Sequence, residues 1–411
     1  MTTLVLLTQK FPFESGEEFL ATELSVLEQS FDRVIVIPTG VRNFSSPRPV
    51  GNATQVRIVK NPRTKKDIAF TFFSSFFPAV RLVISELIKT SWNFKLLKYY
   101  LYHIPFALHL KSVISKELVC SEEFVLYSYW MDTNAFAASV LRRTHPEIKL
   151  VVRSHGGDLY NERQKSGEVA FRKTVYSASQ SLIFISEHGL NYAATHYPEY
   201  ASKMQVFKLG VEDFGLNPSS NIPLSFQVVT CSSIIPLKRL SLIAKVLNNS
   251  KVPINWTHFG GDNSAITRLK KSFPKLRNDL VINWRGKVGN REITNFYDNE
   301  FVDVLVNLSS SEGIPVSMME AISFGIPVFS NAVGGIPEIV SSKTGKLVPE
   351  GLNLERLVLE FDGFLLSGKS RDFKFRIGVK QFWSENYFAK SNYARYATHL
   401  KNQSFKRPIS K

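Results

Sequence analysis

Short runs rich in Val, Ile, Leu and Phe recur from one end of this chain to the other, each followed by a helix-like stretch before the next begins. In the first half they read TLVLLT, RVIVIP, VRIVK, FVLYSYW, KLVVRSH, SLIFIS and QVFKLG. The second half has QVVTCSSI, INWTHFGG, LVINWRG, VDVLVNLS, IPVFSN and KLVP. β-rich runs divided by helices imply parallel sheets joined by right-handed crossovers, so the fold class is α/β with doubly wound sheets. Helices are expected over about 17–30 and 133–144. The rhythm breaks at GVEDFGLNPSSNIPLS, which is rich in Gly, Pro, Ser and Asn and has no strong period, as a linker should. Residues 1–212 then make one Rossmann-like domain, 213–225 the linker and 226–380 a second Rossmann-like domain. In open parallel sheets ligands bind beyond the C-terminal strand ends, so both rims are expected to face each other across a cleft.

Composition narrows the class. With 411 residues, 44% of them hydrophobic, the chain is a globular protein of two or three domains. Cys120 and Cys231 are the only cysteines, which implies no disulfide framework and a reducing compartment. The opening MTTLVLLTQKFPFESG lacks a basic leader and reads as a first core strand, not a signal peptide. The net charge of +16 calls for an anionic partner. Nucleic acid is not expected, because no compact basic stripe, zinc spacing or RNA-binding aromatic signature is present. The surplus concentrates between residues 60 and 116, where Lys and Arg are opposed only by Asp67 and Glu86, interleaved with IAFTFFSSFFPAVRLVISELI and WNFKLLKYYLYHIPFALHL. The uncharged run from Ile68 to Val80 contains Pro78 and is too short to span a bilayer. Two readings of this basic aromatic insertion, about 61–117, stay open: helices lying in an anionic membrane interface, or helices covering the first sheet with lysines on the wet face.

The chemistry-bearing stretch is SSSEGIPVSMMEAISFGIPVFSNAVGGIPE. Pro315 marks a helix start and Gly325 its end. Glu312 sits on the strand-to-helix turn and Glu320 one to two turns into the helix. Between them, the first-turn N–H groups favour a phosphate, and a carboxylate beyond it suits the two vicinal hydroxyls of a ribose. As an isolated pair these would be a solvated turn residue and an exposed helix residue. Here the helix is crowded with Val316, Met318, Met319, Ala321 and Ile322, so a charge in its middle needs a reason. Gly334 and Gly335 open the next helix and give a second close backbone approach.

Other rim positions join this stretch. In RSHGGD, His155 precedes two glycines and Asp158 follows them; a lone histidine there is more often structural, but these neighbours favour contact with a ligand. Lys238 and Arg239 stand at the first turn of the second domain's opening helix, placed for a diphosphate, with Ser232 and Ser233 on the preceding turn. Gly260 and Gly261 are a further close-approach point, and the edge from Arg285 to Val288 suits a nucleobase. Gly16 opens a loop on the first domain's rim, or else a helix N-terminus rich in Glu17 and Glu18. Asp-x-Asp, metal-ligand spacing, a phosphate loop and a G-x-S-x-G elbow are all missing, which disfavours metal-held diphosphate, phosphoryl transfer and α/β-hydrolase chemistry.

SSSEGIPVSMMEAISFGIPVFSNAVGGIPEIV resembles the E-x7-E segment of the retaining GT-B glycosyltransferases of family 4, with its following glycine pair. PFESGEEFLATEL is similar to that family's acceptor-side loop, RSHGGDLYNER and FISEHGLNYAATHYPE to stretches of its exopolysaccharide and lipopolysaccharide members, and WSENYFAKSNY to its C-terminal helix. The resemblance implies a GT-B fold in which residues 381–411 cross back to the first domain. It implies that Glu320 binds the donor ribose, Glu312 contacts the donor sugar near the reacting carbon, His155 faces sugar hydroxyls and Lys238 balances the leaving diphosphate. Gly313, Ile314, Pro315, Val316 and Ser317, with Ser233, Gly260, Arg285 and Val288, would line the donor, while Gly16 and Asp158 would lie on the acceptor side. Where the family usually has an Arg, this chain has Ser233, so Arg239 is expected to supply the second charge. The implied activity is retaining transfer of a sugar to a lipid-linked or oligosaccharide acceptor in surface polysaccharide synthesis. No cofactor and no metal are implied, and the donor is a UDP-sugar in preference to a GDP-sugar. The implied location is cytoplasmic and peripheral, on the inner face of the cell membrane. A nucleotide-sugar epimerase on the same architecture and a non-catalytic basic protein binding a membrane surface remain the alternatives.

Overall fold

The computed structural model describes residues 2–14, 16–59, 75–119, 123–219, 222–273, 275–403 and 405–406. Residues 61–74 of the basic aromatic insertion, and Cys120, lie outside them. The chain divides into two compact units, one made of Met1–Phe207 with Tyr393–Lys411, the other of Lys208–Asn392.

The first unit is built on strands β1 (Thr2–Thr8), β2 (Arg33–Pro38), β3 (Thr54–Val56), β4 (Glu123–Ser128), β5 (Leu150–Ser154), β6 (Ser181–Phe184) and β7 (Met204–Val206), in the order β3-β2-β1-β4-β5-β6-β7. Every neighbouring pair along that path is parallel. β1 and β5 are buried along nearly their whole length, as strands covered on both faces by helices must be. Its helices include α1 (Leu20–Ser30), α2 (Phe76–Lys89), α3 (Leu97–Val119), α4 (Thr133–Arg142) and the single turn α5 (Gly156–Leu159). The sequence pattern places the start of α1 at Glu17; the helix starts at Leu20, because the Glu17 side chain is engaged elsewhere. The chain's last short strand, Phe405–Lys406, pairs antiparallel with the start of β4.

The second unit repeats the plan. Strands β8 (Phe226–Cys231), β9 (Ile254–Phe259), β10 (Leu280–Gly286), β11 (Val304–Asn307), β12 (Val328–Asn331) and β13 (Gly345–Val348) run in the order β10-β9-β8-β11-β12-β13, all pairs parallel. Both sheets thus have the doubly wound order, with the strand sequence reversing beside β1 in one and beside β8 in the other. The helices that matter for the site are α6 (Leu240–Asn249), α7 (Asn290–Asn299) and α8 (Val316–Ser323). The tail holds two helices and not the single one expected, α9 (Phe373–Tyr387) and α10 (Ala389–Asn402).

α8 shows why this sequence stops where it does. Gly325 has φ +71°, its N–H bonds the Ile322 carbonyl at 3.0 Å, and the Ile326 N–H bonds the Ala321 carbonyl at 2.9 Å. That is the Schellman closure, which needs a residue free to enter the left-handed region. A Cβ on Gly325 would also stand 2.7 Å from the Arg376 carbonyl of α9.

Candidate functional site

In the second unit the sheet order reverses between β8 and β11, and the segments leaving these two strands meet there. The Ser310 N–H donates to the Leu237 carbonyl at 2.9 Å, tying the loop after β11 to the turn after β8. On this frame the Lys238 ammonium pairs with the Glu312 carboxylate, which is buried. Glu312 also accepts from Asn307 Nδ2 at 3.4 Å, and Asn307 Oδ1 accepts the Ser309 N–H at 2.8 Å. Asn307 ends β11 and organises the loop; its position at a strand end beside the sheet reversal was the only signal for it in the sequence.

The glycine pair has a definite role. Gly334 has φ +55°, and a Cβ there would stand 1.9 Å from the Glu312 carbonyl oxygen; one on Gly335 would stand 2.6 Å from that of Gly313. The close approach is therefore to the Glu312–Gly313 turn itself. Beyond the pair the chain makes a short 3₁₀ turn, Ile336–Glu338, and not the helix the sequence pattern suggests.

Val316 begins α8 after Pro315, whose backbone is extended, and no side chain caps this end. Ile314 is buried, while Gly313, Pro315, Val316 and Ser317 are partly open. Ser317 and Lys238 line the same small cavity, together with Thr230, Cys231, Asn307 and Ser309. One turn on, Glu320 is buried, and its carboxylate accepts a hydrogen bond from Asn290 Nδ2 at the start of α7. Burial pushes the Glu320 carboxyl up to about 7, with the Asn290 bond pulling the other way. Burial first, and then the Glu320 charge, pushes the neighbouring Cys231 thiol up to about 12. Asn290 was not among the expected site residues; following Gly289 at a helix start gave it no distinguishing mark.

The remaining expected positions separate. Arg239 adopts a left-handed conformation (φ +48°) and its guanidinium lies 4.0 Å from Glu350, so it does not join the Lys238–Glu312 pair. Ser233 is exposed. Gly260 (φ +130°) has room only for hydrogen, because a Cβ would meet the Ser232 carbonyl at 1.9 Å; its N–H donates to the Gly286 carbonyl at 2.7 Å. This close approach joins three strand ends to one another. Arg285 is exposed, with its guanidinium 5.6 Å from the Phe296 ring, and Val288 is half-buried two residues before Asn290.

The first unit has its own rim cluster where β1 and β4 diverge. Glu17 is buried and accepts the backbone N–H groups of Gln9, Lys10 and Phe11, and the Trp130 indole N–H. This corrects the picture of Glu17 as a helix-dipole residue: a carboxylate holding the loop after β1 is a stronger use of its charge. Gly16 is exposed with φ +117° and donates to the Glu18 carboxylate at 2.8 Å. His155 is buried at the end of β5, its ring 4.8 Å from that of Tyr129 and 4.3 Å from that of Trp130. Neither ring nitrogen has a hydrogen-bond partner among the described residues. Burial, and then the Arg153 charge, holds its pKa well below the usual histidine range, so the imidazole is neutral. Asp158 accepts the backbone N–H groups of His155 and, at 2.9 Å, Met131. Burial pushes its carboxyl up to about 7, and that of Asp132, which accepts from Gln9 at 2.8 Å, up to about 6.

A buried neutral imidazole with two open nitrogens can exchange hydrogen bonds with hydroxyl groups. A lysine–glutamate pair beside an uncapped helix start, with a second carboxylate one turn deeper, can meet an anion and a diol together. Among the described residues no group of three or more His, Cys, Asp and Glu is placed to hold a metal ion, and no helix is long and apolar enough to cross a membrane.

Residues 221–374 match the family profile described as Glycosyl transferases group 1. The O-antigen biosynthesis glycosyltransferase WbnH of Escherichia coli is 29% identical over 150 residues, which is 35% of this chain and 41% of WbnH. The putative colanic acid biosynthesis glycosyltransferase WcaL of Salmonella typhimurium is 38% identical over 88 residues, 20% of this chain and 22% of WcaL. The chain thus matches well under half the length of these curated relatives. Among solved structures, Anabaena HepE in complex with UDP and glucose superposes with a TM-score of 0.66 at 14% identity, covering 97% of this chain and 99% of HepE. Residues 221–374 thus carry the group 1 glycosyl transferase profile, and the two doubly wound sheets are those of the GT-B fold.

Proposed function

We propose that this protein transfers a sugar, with retention, from a UDP-sugar to a lipid-linked glycan acceptor in the synthesis of a surface polysaccharide. The observation that carries the reading is the second unit's rim: Lys238 paired to Glu312 beside the open start of α8, with Glu320 buried one turn beyond. The named activities of WbnH and WcaL, both surface-polysaccharide glycosyltransferases, support it.

Each residue has a task. The Glu320 carboxylate accepts from the ribose hydroxyls, and the first-turn N–H groups of α8 receive the diphosphate. Arg285 and Val288 border the base. When the bond from the anomeric carbon to the diphosphate breaks, negative charge grows on the phosphate and positive charge on the sugar ring. Lys238 offsets the first and Glu312 the second; losing one such preorganised group costs on the order of 3 kcal/mol of barrier. Arg239 adds charge at the diphosphate only if it leaves Glu350. His155, held neutral, serves sugar hydroxyls, and Asp158 and the Gly16 loop serve the acceptor side.

The test is a thermal-shift screen of nucleoside diphosphates and nucleotide-sugars, followed by mass spectrometry of products formed with a bacterial lipid extract. Stabilisation by UDP and a mass gain of one sugar on a lipid support the reading. Conversion of the donor sugar to its stereoisomer without any acceptor would replace it with an epimerase. Unchanged turnover in both Glu320→Ala and Lys238→Ala would remove the site assignment.

A further inference from the structure

The first unit's rim is acidic in a chain whose net charge is +16. Glu17, Asp132 and Asp158 follow β1, β4 and β5, and the hydrogen-bond partners of all three are neutral N–H groups, not cations. Lys10, next to Gln9, pairs instead with Glu14 at 3.5 Å. Burial first, and then the charge of Glu17, raises the Asp132 carboxyl; burial first, and then the charge of Asp132, raises that of Asp158. The three carboxylates therefore lie close enough to oppose one another's ionisation.

Beside them is a buried polar group that nothing in the first unit completes. His155 is only 7% exposed, its ring packs on Trp130, whose indole N–H donates to Glu17, and both its nitrogens lack a hydrogen-bond partner among the described residues. Buried polar atoms are normally paired, so an orphan at a rim points to a ligand. Asp132 accepts the Gln9 side-chain amide and the Asn134 N–H, each at 2.8 Å, which leaves lone pairs for further donors. Gln9 is exposed. One residue on from Asp132, Thr133 Oγ1 meets His103 Nδ1 of α3 at 2.9 Å, and the Tyr99 ring stacks on that imidazole with centroids 3.9 Å apart. Tyr99 itself is exposed.

A carboxylate and an amide beside an open aromatic ring suit a pyranose, which has hydroxyl groups along its edge and C–H groups on its face. The hydroxyls match Asp132 and Gln9, and the C–H groups match the electron-rich face of Tyr99. A uronic acid or a phosphorylated sugar would bring its own charge against three carboxylates.

We propose that Asp132, Gln9 and the Tyr99–His103 stack form a subsite for the terminal sugar of the acceptor, and that this sugar carries no negative charge. The proposal rests on the transfer reading above and adds the acceptor's chemical class to it.

The test is saturation-transfer NMR of the full chain, without nucleotide, at about pH 8, where Asp132 and Asp158 are both ionised. The probes are the methyl glycosides of glucose, galactose, N-acetylglucosamine and glucuronic acid. At least one neutral glycoside should bind about 10-fold or more tightly than the glucuronide. Asp132→Asn keeps a good helix cap and removes the charge; it should weaken the neutral glycoside about 10-fold and leave the glucuronide no weaker, closing the gap. Tyr99→Leu should abolish most transfer to the sugar C–H protons, and Tyr99→Phe should retain it. Equal binding of glucuronide and neutral glycosides, a gap untouched by Asp132→Asn, or no binding of any neutral glycoside would overturn the proposal. Stabilisation by UDP decides the transfer reading separately: if it is seen and no glycoside binds, only the subsite falls, and if glycosides bind and it is not seen, the transfer reading falls.

Discussion

Glu320→Gln should stabilise the ligand-free protein at alkaline pH and do nothing for it in acid. The Glu320 carboxyl rises from its ordinary 4.5 to about 7 because it is buried. Its folded value is above its unfolded one, so its favourable contribution is complete below pH 4.5 and is lost as pH rises through about 7. At about 1.4 kcal/mol per unit, the ionised carboxylate then disfavours the folded second unit by up to about 3 kcal/mol. Glutamine keeps the shape, offers Asn290 the same acceptor and carries no charge. For a unit of this size about 1 kcal/mol corresponds to about 2–4 °C, so Tm of the variant should exceed that of the wild type by about 6–12 °C at pH 8. Near pH 4.5 the two should coincide. The comparison must be a difference between variant and wild type, because Asp158 and Asp132 of the first unit also have raised values and lend the wild type a slope of the same sign. Differential scanning calorimetry across this range, without nucleotide, is the assay. A variant–wild-type difference that stays flat from acid to alkaline pH would refute the claim that this carboxylate is buried against its own charge. The same substitution should weaken UDP binding by about 10- to 100-fold, the loss of a hydrogen-bonded charge, so stability and affinity should move in opposite directions.

Asn290→Ala removes the one hydrogen bond that lowers the Glu320 value; the midpoint for UDP binding, which strengthens as the carboxylate ionises, should move to higher pH in calorimetric titrations. Lys238→Met should lower kcat on the order of 100-fold with a smaller change in the donor's KM, since its charge matters most as the diphosphate leaves. Gly334→Ala combines a left-handed backbone with a Cβ 1.9 Å from the Glu312 carbonyl; it should displace that turn and abolish UDP-induced stabilisation, whereas Gly157→Ala, with open space around its Cβ, should not. Arg153→Met leaves the Glu23 carboxylate buried without its cation, and should destabilise the first unit by about 3–5 kcal/mol in urea unfolding.

The amino-acid sequence by itself determined the plan of both sheets. Period and spacing are local properties, so alternating apolar runs and helical stretches declare parallel strands with crossovers. The helix after Glu312 could be bounded in the same way, because Pro315 and Gly325 act through backbone geometry at their own positions. Glu312, Glu320 and Lys238 could be singled out for this reason: Glu312 and Lys238 lie on turns that follow strands, and Glu320 lies one turn into a helix whose start the sequence marks. Residue type alone could not say what each of these side chains faces. That Lys238 reaches Glu312 while Arg239 turns to Glu350 depends on a left-handed backbone at Arg239 and on loops brought together from distant segments. Asn290, after β10, meets Glu320, after β11, because β10, β9, β8 and β11 lie side by side in the sheet. Glu17 looked like a helix-start carboxylate until folding gave it three backbone N–H groups and an indole. The basic aromatic stretch could be read two ways because an amphipathic pattern does not reveal which apolar residues are covered; packing buried one face of α2 and left Phe77, Ile84 and Ile88 outside. Sequence fixes what a residue can do within a turn or two of backbone; tertiary structure decides its partners, because electrostatics, burial and pKa depend on neighbours in space.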